Sequence, residues 1–62
     1  SKKSKLYVCN FGINYLIGYL RKNNYEKSNY VYKELQRWDY PFTDEMKNHI
    51  ENYLQQIKAN QK

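Results

Sequence analysis

The chain has 62 residues, a net charge of +5 and eleven aromatic side chains: eight Tyr, two Phe and one Trp. A chain of this length forms one domain and buries only about 60% of the surface that it exposes when unfolded. One cysteine and one histidine exclude an intrachain disulfide and a Cys/His zinc site. We therefore predict no metal and no cofactor. Stability must come from burial of apolar and aromatic side chains, and a homodimer would add to it.

The sequence contains no membrane-span pattern and no signal peptide. Its longest apolar runs are far shorter than the roughly 20 residues of a membrane span, and the run at 6–11 is too short for a signal peptide. A single cysteine favours a reducing compartment. We therefore predict a cytoplasmic protein. The Lys, Asn and Tyr content is typical of AT-rich coding sequence and suggests a phage or mobile-element origin.

The first nine residues precede the first clear helical pattern. We predict a flexible basic tail over residues 1–5. Leu6 and Val8 alternate with polar neighbours, which is the pattern of a short strand or of an extended lead-in. A strand there would need a partner strand from a second chain. Asn10 is the predicted N-cap of the first helix.

The first predicted helix runs from Phe11 to Asn23 and has apolar side chains on two sides. One stripe consists of Ile13, Leu16, Ile17 and Leu20, and the other of Phe11, Tyr15 and Tyr19. Two apolar sides require two neighbours, so this helix should be the central one. Gly12 and Gly18 weaken its propensity, and a close approach by another helix at Gly18 is one explanation for the missing side chain.

Two further amphipathic helices complete the predicted fold. The second begins between Tyr25 and Ser28, ends near Asp39, and has an apolar stripe of Val31, Leu35 and Trp38. Pro41 marks the boundary, and Thr43 is the predicted N-cap of a third helix that ends near Lys58. Its stripe consists of Met46, Ile50, Tyr53, Leu54 and Ile57. We predict an all-α, three-helix bundle over residues 6–58, with a frayed end at 59–62.

Catalysis has little support in the residue types. A nucleophile needs an adjacent base held by a third group, and Cys9 with His49 is the only such pair. Cys9 fits better as a small buried hydrophobe, and His49 as a helix-edge residue. Asp44 and Glu45 are most simply first-turn charges. We therefore predict that the protein is not an enzyme.

The distribution of charge suggests DNA as a partner of a small regulatory protein. The lysines near the two ends of the chain account for the net charge. Phosphate contacts from Lys and Arg dominate sequence-independent DNA affinity, and one side of the second helix combines Tyr30 with two cations. The predicted DNA-binding residues are Lys3, Lys5, Arg21, Lys22, Tyr30, Lys33 and Arg37.

The order of elements also resembles the layout of ribbon-helix-helix repressors. The corresponding segments are a basic strand at 5–9, a helix at 11–23, a turn at 24–27 and a second helix at 28–38. The resemblance implies that the strands of two chains pair and that Lys5, Tyr7 and Cys9 enter the major groove. It also implies that Ser28 lies near a phosphate. The two glycines of the first helix and the third helix depart from that layout.

The alternative function is an inhibitor or adaptor that binds a host protein. Three short stripes cannot bury eight tyrosines, so several rings should be exposed. Tyrosine, tryptophan and arginine dominate the energetics of protein interfaces. The candidates are the tyrosines that lie off the stripes or in loops: Tyr25, Tyr30, Tyr32 and Tyr40.

Overall fold

The computed structural model describes the backbone of residues 2–61 and the side chains of residues 10–61. It contains three α-helices, α1 (Lys2–Arg21), α2 (Tyr25–Arg37) and α3 (Asp44–Asn60). Within this part of the chain no residue belongs to a β-strand. The predicted all-α, three-helix fold is confirmed.

The N-terminal boundary of α1 differs from the prediction. Because α1 begins at Lys2, residues 6–9 are helical rather than extended, and Asn10 lies inside the helix instead of capping it. No Gly or Pro interrupts this stretch, and a four-residue alternation is too short to separate strand from helix. The side chains of residues 1–9, which include the predicted basic tail at 1–5, lie outside the described residues.

The first two helices end in the same hydrogen-bonded motif. After α1, Asn23 has a left-handed φ of 57°, the Asn24 N–H donates to the Tyr19 carbonyl and the Asn23 N–H donates to the Leu20 carbonyl. This pair of bonds is the Schellman motif. It recurs after α2 around Asp39, whose φ is 61°. The break between helices that was predicted at residues 23–24 is confirmed.

Side-chain caps begin α2 and α3. The Asn24 side-chain oxygen accepts a hydrogen bond of 3.1 Å from the Lys27 N–H. The Thr43 hydroxyl oxygen accepts one of 3.1 Å from the Met46 N–H, which confirms the predicted cap. Each cap satisfies a backbone donor that the first helical turn leaves without an intrahelical acceptor.

The core shows that α2, and not α1, is the central helix. Leu16 of α1, Tyr32 and Leu35 of α2 and Leu54 of α3 form one buried cluster. The main helix contacts are those of α1 with α2 and of α2 with α3. Short connections at both ends of α2 make both neighbours antiparallel to it, and the Tyr32 ring widens its apolar face. The predicted central position of α1 is therefore wrong.

Covering α1 on one side only leaves several predicted core residues exposed. Phe11 and Tyr15, predicted as a second buried stripe, are exposed, and so is Ile17 of the main stripe. Trp38 of α2, predicted as core, is 46% exposed. The two-sided apolar pattern of α1 therefore leaves an apolar surface beside α2.

Gly12 marks a close approach of α1 to α2. A Cβ atom added at Gly12 would lie 2.6 Å from Leu35 Cδ2, whereas one added at Gly18 would have no non-local heavy atom within 4 Å. The close approach considered for Gly18 is therefore found at Gly12.

Candidate functional site

A groove with aromatic walls runs along the contact between α1 and α2. Tyr15 of α1 forms one wall, Tyr30 and Trp38 of α2 form the other, and Val31 and Leu35 contribute to its apolar lining. We call this surface the aromatic groove. It exists because Gly12 brings the helices close, so that the flanking rings project past the contact instead of filling it.

The groove contains two adjoining apolar depressions that share Tyr30. One lies between Tyr19 and Val31 and has a volume of about 310 Å³. The other lies beside Gly12 and Trp38 and has a volume of about 180 Å³. Small-molecule sites typically measure roughly 300–1,000 Å³. Depressions at or below that lower limit suit single side chains of a larger partner.

The exposed aromatic area around the groove is large for so small a protein. Tyr15 and Tyr30 are 61% and 65% exposed, and Trp38 is 46% exposed. At roughly 150–250 Å² per aromatic side chain, these fractions leave roughly 260–430 Å² in contact with water. The largest apolar patch of a typical monomer is roughly 300–600 Å² and is often functional.

Charged side chains lie at both ends of the aromatic groove. At one end the Lys27 Nζ lies 5.5 Å from the centre of the Tyr19 ring, a cation–π distance. At the other end an Arg37 guanidinium nitrogen lies 3.9 Å from a Glu34 carboxylate oxygen, and the Arg37 side chain is 80% exposed. Such an exposed pair contributes little to stability, so Arg37 can contact a partner at low cost.

Tyr32, a predicted protein-binding residue, belongs to the core instead. It is buried, its ring meets Phe42 edge-on at 5.2 Å, and its hydroxyl donates a 2.8 Å hydrogen bond to a Glu51 carboxylate oxygen. Burial, followed by the hydrogen bond and the negative charge of Glu51, raises the pKa of Tyr32 to about 12. The prediction that Tyr32 is exposed is wrong, because its hydroxyl reaches a partner on α3.

The other predicted tyrosines have different environments. Tyr30 is well exposed, whereas Tyr25 and Tyr40 are half-buried. The Lys58 Nζ lies 5.6 Å from the centre of the Tyr25 ring, and Tyr40 packs on Phe42 at a centroid distance of 4.6 Å. Of the four candidates, the structure brings only Tyr30 into the aromatic groove.

Sequence reasoning missed Tyr15 and Trp38 as surface residues. Both residues lie at helical spacing in the apolar stripes of their helices, and such a spacing predicts burial. One signal was available: Trp38 is eight residues from Tyr30 and four from Glu34, so it also lies on the side of α2 that those residues share.

The predicted DNA-binding residues whose side chains the structure describes are exposed but lie on separate parts of the surface. Arg21 and Lys22 are at the C-terminal end of α1. Lys33 lines a cleft between α2 and α3, whereas Tyr30 and Arg37 border the aromatic groove. Lys3 and Lys5 lie outside the residues whose side chains are described.

The ribbon-helix-helix layout does not agree with the structure. Residues 5–9 are assigned to α1 and not to a strand. Ser28 is 0% exposed, and α2 begins at Tyr25, so the Ser28 hydroxyl is inaccessible to a phosphate. The pattern misled because the second helix begins one turn before Ser28.

Three further observations limit the kinds of site that can be assigned. Among the side chains at 10–61, no three His, Cys, Asp or Glu residues are grouped so that they could hold a metal ion. No helix in the described part of the chain has both the length and the apolar character needed to cross a membrane. No protein-family model, curated protein or solved structure matches the chain at a significant level.

Proposed function

We propose that this chain is a small non-enzymatic binding protein that holds a segment of another protein in the aromatic groove. The observation that supports this function is the arrangement of Tyr15, Tyr30 and Trp38 around adjoining apolar depressions. Tyrosine and tryptophan anchors in desolvated pockets supply most of the energy of protein interfaces. The nearby exposed Arg37 is the third residue type of such anchors.

The chemistry of the groove favours a polypeptide over a nucleic acid. Its lining is largely apolar, and the Glu34 carboxylate at its edge would repel phosphate groups. DNA-binding surfaces are more polar and much more positively charged than protein interfaces. The groove has the positive charge of Lys27 at one end and the Glu34–Arg37 ion pair at the other. Charged groups around an apolar centre are typical of the polar rim of a protein interface.

Affinity capture with matched variants tests this function. The full chain is immobilised as wild type, Tyr30→Ala and Tyr53→Ala, and each is exposed to a lysate of the source cells with and without nuclease. Tyr30 is 65% exposed in the groove, and Tyr53 is 42% exposed on α3. We expect a protein that wild type and Tyr53→Ala retain, that Tyr30→Ala loses, and that nuclease does not release. Equal retention by all three variants would contradict the proposal.

DNA binding is the second candidate function, favoured by the exposure of Arg21, Lys22 and Lys33. It predicts an affinity that falls steeply with salt, because bound cations release counterions from the phosphates. An electrophoretic shift with duplex DNA at low salt, lost on Arg21→Ala with Lys22→Ala, would support it. No shift at low salt would refute it. The regulatory role, the phage-type origin and the cytoplasmic location stay predictions from the sequence.

A further inference from the structure

We infer that the partner segment is an amphipathic α-helix, with two apolar anchors for the depressions and an acidic side chain at the Lys27 end. This inference rests on the proposed function and specifies the chemistry of the partner. It follows from the secondary structure around the groove, from the groove's length and from its charges.

The described backbone favours a helical occupant. An extended segment can pair with a free sheet edge or, as a polyproline II helix, lie in an aromatic-lined groove. Residues 2–61 contain no strand and so offer no sheet edge. In the aromatic groove, an extended segment would bury N–H and C=O groups against Val31 and Leu35, which carries a cost for each unpaired group. A helix satisfies those groups internally and presents only side chains to the groove.

The groove is about as long as three turns of such a helix. Lys27 and Trp38, which mark its two ends, are eleven residues apart along α2, or roughly 16 Å at 1.5 Å per residue. Anchors at positions i, i+4 and i+7 span roughly 10 Å of helix axis. Two apolar anchors therefore reach both depressions, and room remains for one charged side chain at an end.

The charges place that acidic side chain. At the end beside Tyr19, the ammonium group of Lys27 lies over the ring, and Lys22 is exposed three residues beyond Tyr19 on α1. At the other end Glu34 faces Arg37, so the two charges there offset each other. The electrostatic preference of the groove is therefore for a negative charge at the Lys27 end.

A displayed peptide library provides the test. Helix-forming peptides of about 16 residues, long enough for measurable helicity in water, carry random residues on one face and are selected against the immobilised full chain. We expect enrichment of apolar residues at two positions that share one helical face, such as i and i+7, together with an acidic residue at one end. An enriched peptide that lacks tryptophan is then titrated, and the fluorescence of Trp38, the single tryptophan of the chain, reports occupancy of the groove.

Two matched pairs of variants locate the binding. Tyr30→Ala should weaken the peptide about tenfold or more, as expected for an anchor residue, while Tyr53→Ala leaves binding unchanged. Lys27→Glu should weaken it about fivefold, while Lys33→Glu, which makes the same charge change in the other cleft, should not. Glutamate near the start of α2 suits the helix dipole, so Lys27→Glu is expected to fold.

Three results would overturn the inference: enrichment without the helical apolar pattern, binding that survives Tyr30→Ala, or equal effects of Lys27→Glu and Lys33→Glu. A mass measurement in solution adds a fourth, because a homodimer that Tyr30→Ala dissociates would show that a second copy fills the groove. If the library fails while capture from lysate still depends on Tyr30, the proposed function stands and only the helical partner is refuted.

Discussion

Replacing each of the two glycines of α1 with alanine separates helix propensity from helix packing. Both glycines lie inside α1, and neither has a positive φ. Alanine is therefore compatible with the backbone at both positions, and the gain in helix propensity is about 1 kcal/mol at each. What differs is the space for one methyl group. It is open at Gly18 and blocked by Leu35 at Gly12.

The structure sets the sign of the difference. At Gly12 the new Cβ would lie 2.6 Å from Leu35 Cδ2 and 3.4 Å from Leu35 Cγ, so the end of the buried Leu35 side chain must shift, with the neighbouring depression as the space beside it. Overpacking of this kind costs about 1–3 kcal/mol. Gly18→Ala should raise the free energy of unfolding by about 1 kcal/mol. The free energy of unfolding of Gly12→Ala should be about 1–3 kcal/mol lower than that of Gly18→Ala.

Thermal and urea unfolding followed by circular dichroism measure both effects. For a domain of this size 1 kcal/mol corresponds to about 4–8 °C in Tm. The Tm of Gly18→Ala should therefore lie above that of wild type, and the Tm of Gly12→Ala should lie at least about 4–8 °C below that of Gly18→Ala. In a Leu35→Val background, which shortens the opposing side chain, the penalty at Gly12 should shrink. Equal stability of the two alanine variants would refute the close packing of α1 on α2 at this point.

The remaining predictions concern three polar side chains. Tyr32→Phe should lower the free energy of unfolding by about 1–2 kcal/mol, because the hydrogen bond to Glu51 is lost. Since the pKa of Tyr32 rises from 10.0 to about 12 on folding, the unfolded chain loses this proton first, and the advantage of wild type over Tyr32→Phe should decrease between pH 10 and pH 12 in urea titrations. A constant advantage over that range would contradict the assignment. Ser28→Ala should raise Tm, because the buried Ser28 hydroxyl has no hydrogen-bond partner in the described part of the chain and alanine favours the helix. A lower Tm would indicate a partner for that hydroxyl. Thr43→Ala should lower the free energy of unfolding by about 1 kcal/mol through loss of the α3 cap, while Thr43→Ser, which keeps the hydroxyl, should stay near wild type. Equal loss in both variants would show that the cap is not responsible.

Local sequence signals determined where the helices break and where α3 begins. Asn23 tolerates the left-handed conformation that ends α1, Pro41 prevents continuation of α2, and Thr43 caps α3. These signals act within a few residues, so they can be read without knowledge of the fold. The start of α1 was misread because residues 6–9 contain no local breaker, and their alternation is too short to distinguish a strand from a helix.

The candidate site could be predicted only in part. The excess of tyrosine indicated that some rings must be exposed, and Tyr30 was identified correctly as one of them. Tyr32 was not separable from Tyr30 by composition, because its burial depends on Glu51, nineteen residues away on α3. Helical periodicity defines which side chains share a face, but it does not say whether another helix covers that face.

The sequence by itself determined three amphipathic helices, their breaks and a surplus of aromatic side chains. Only the tertiary structure decided that α2 is central and that α1 is covered on one side. The physical reason is that pairing is set by packing between residues far apart in the chain, such as the buried cluster that contains Leu16, Leu35 and Leu54. The close approach at Gly12 belongs to the same class of contacts. Those contacts leave Tyr15, Tyr30 and Trp38 facing water around one groove.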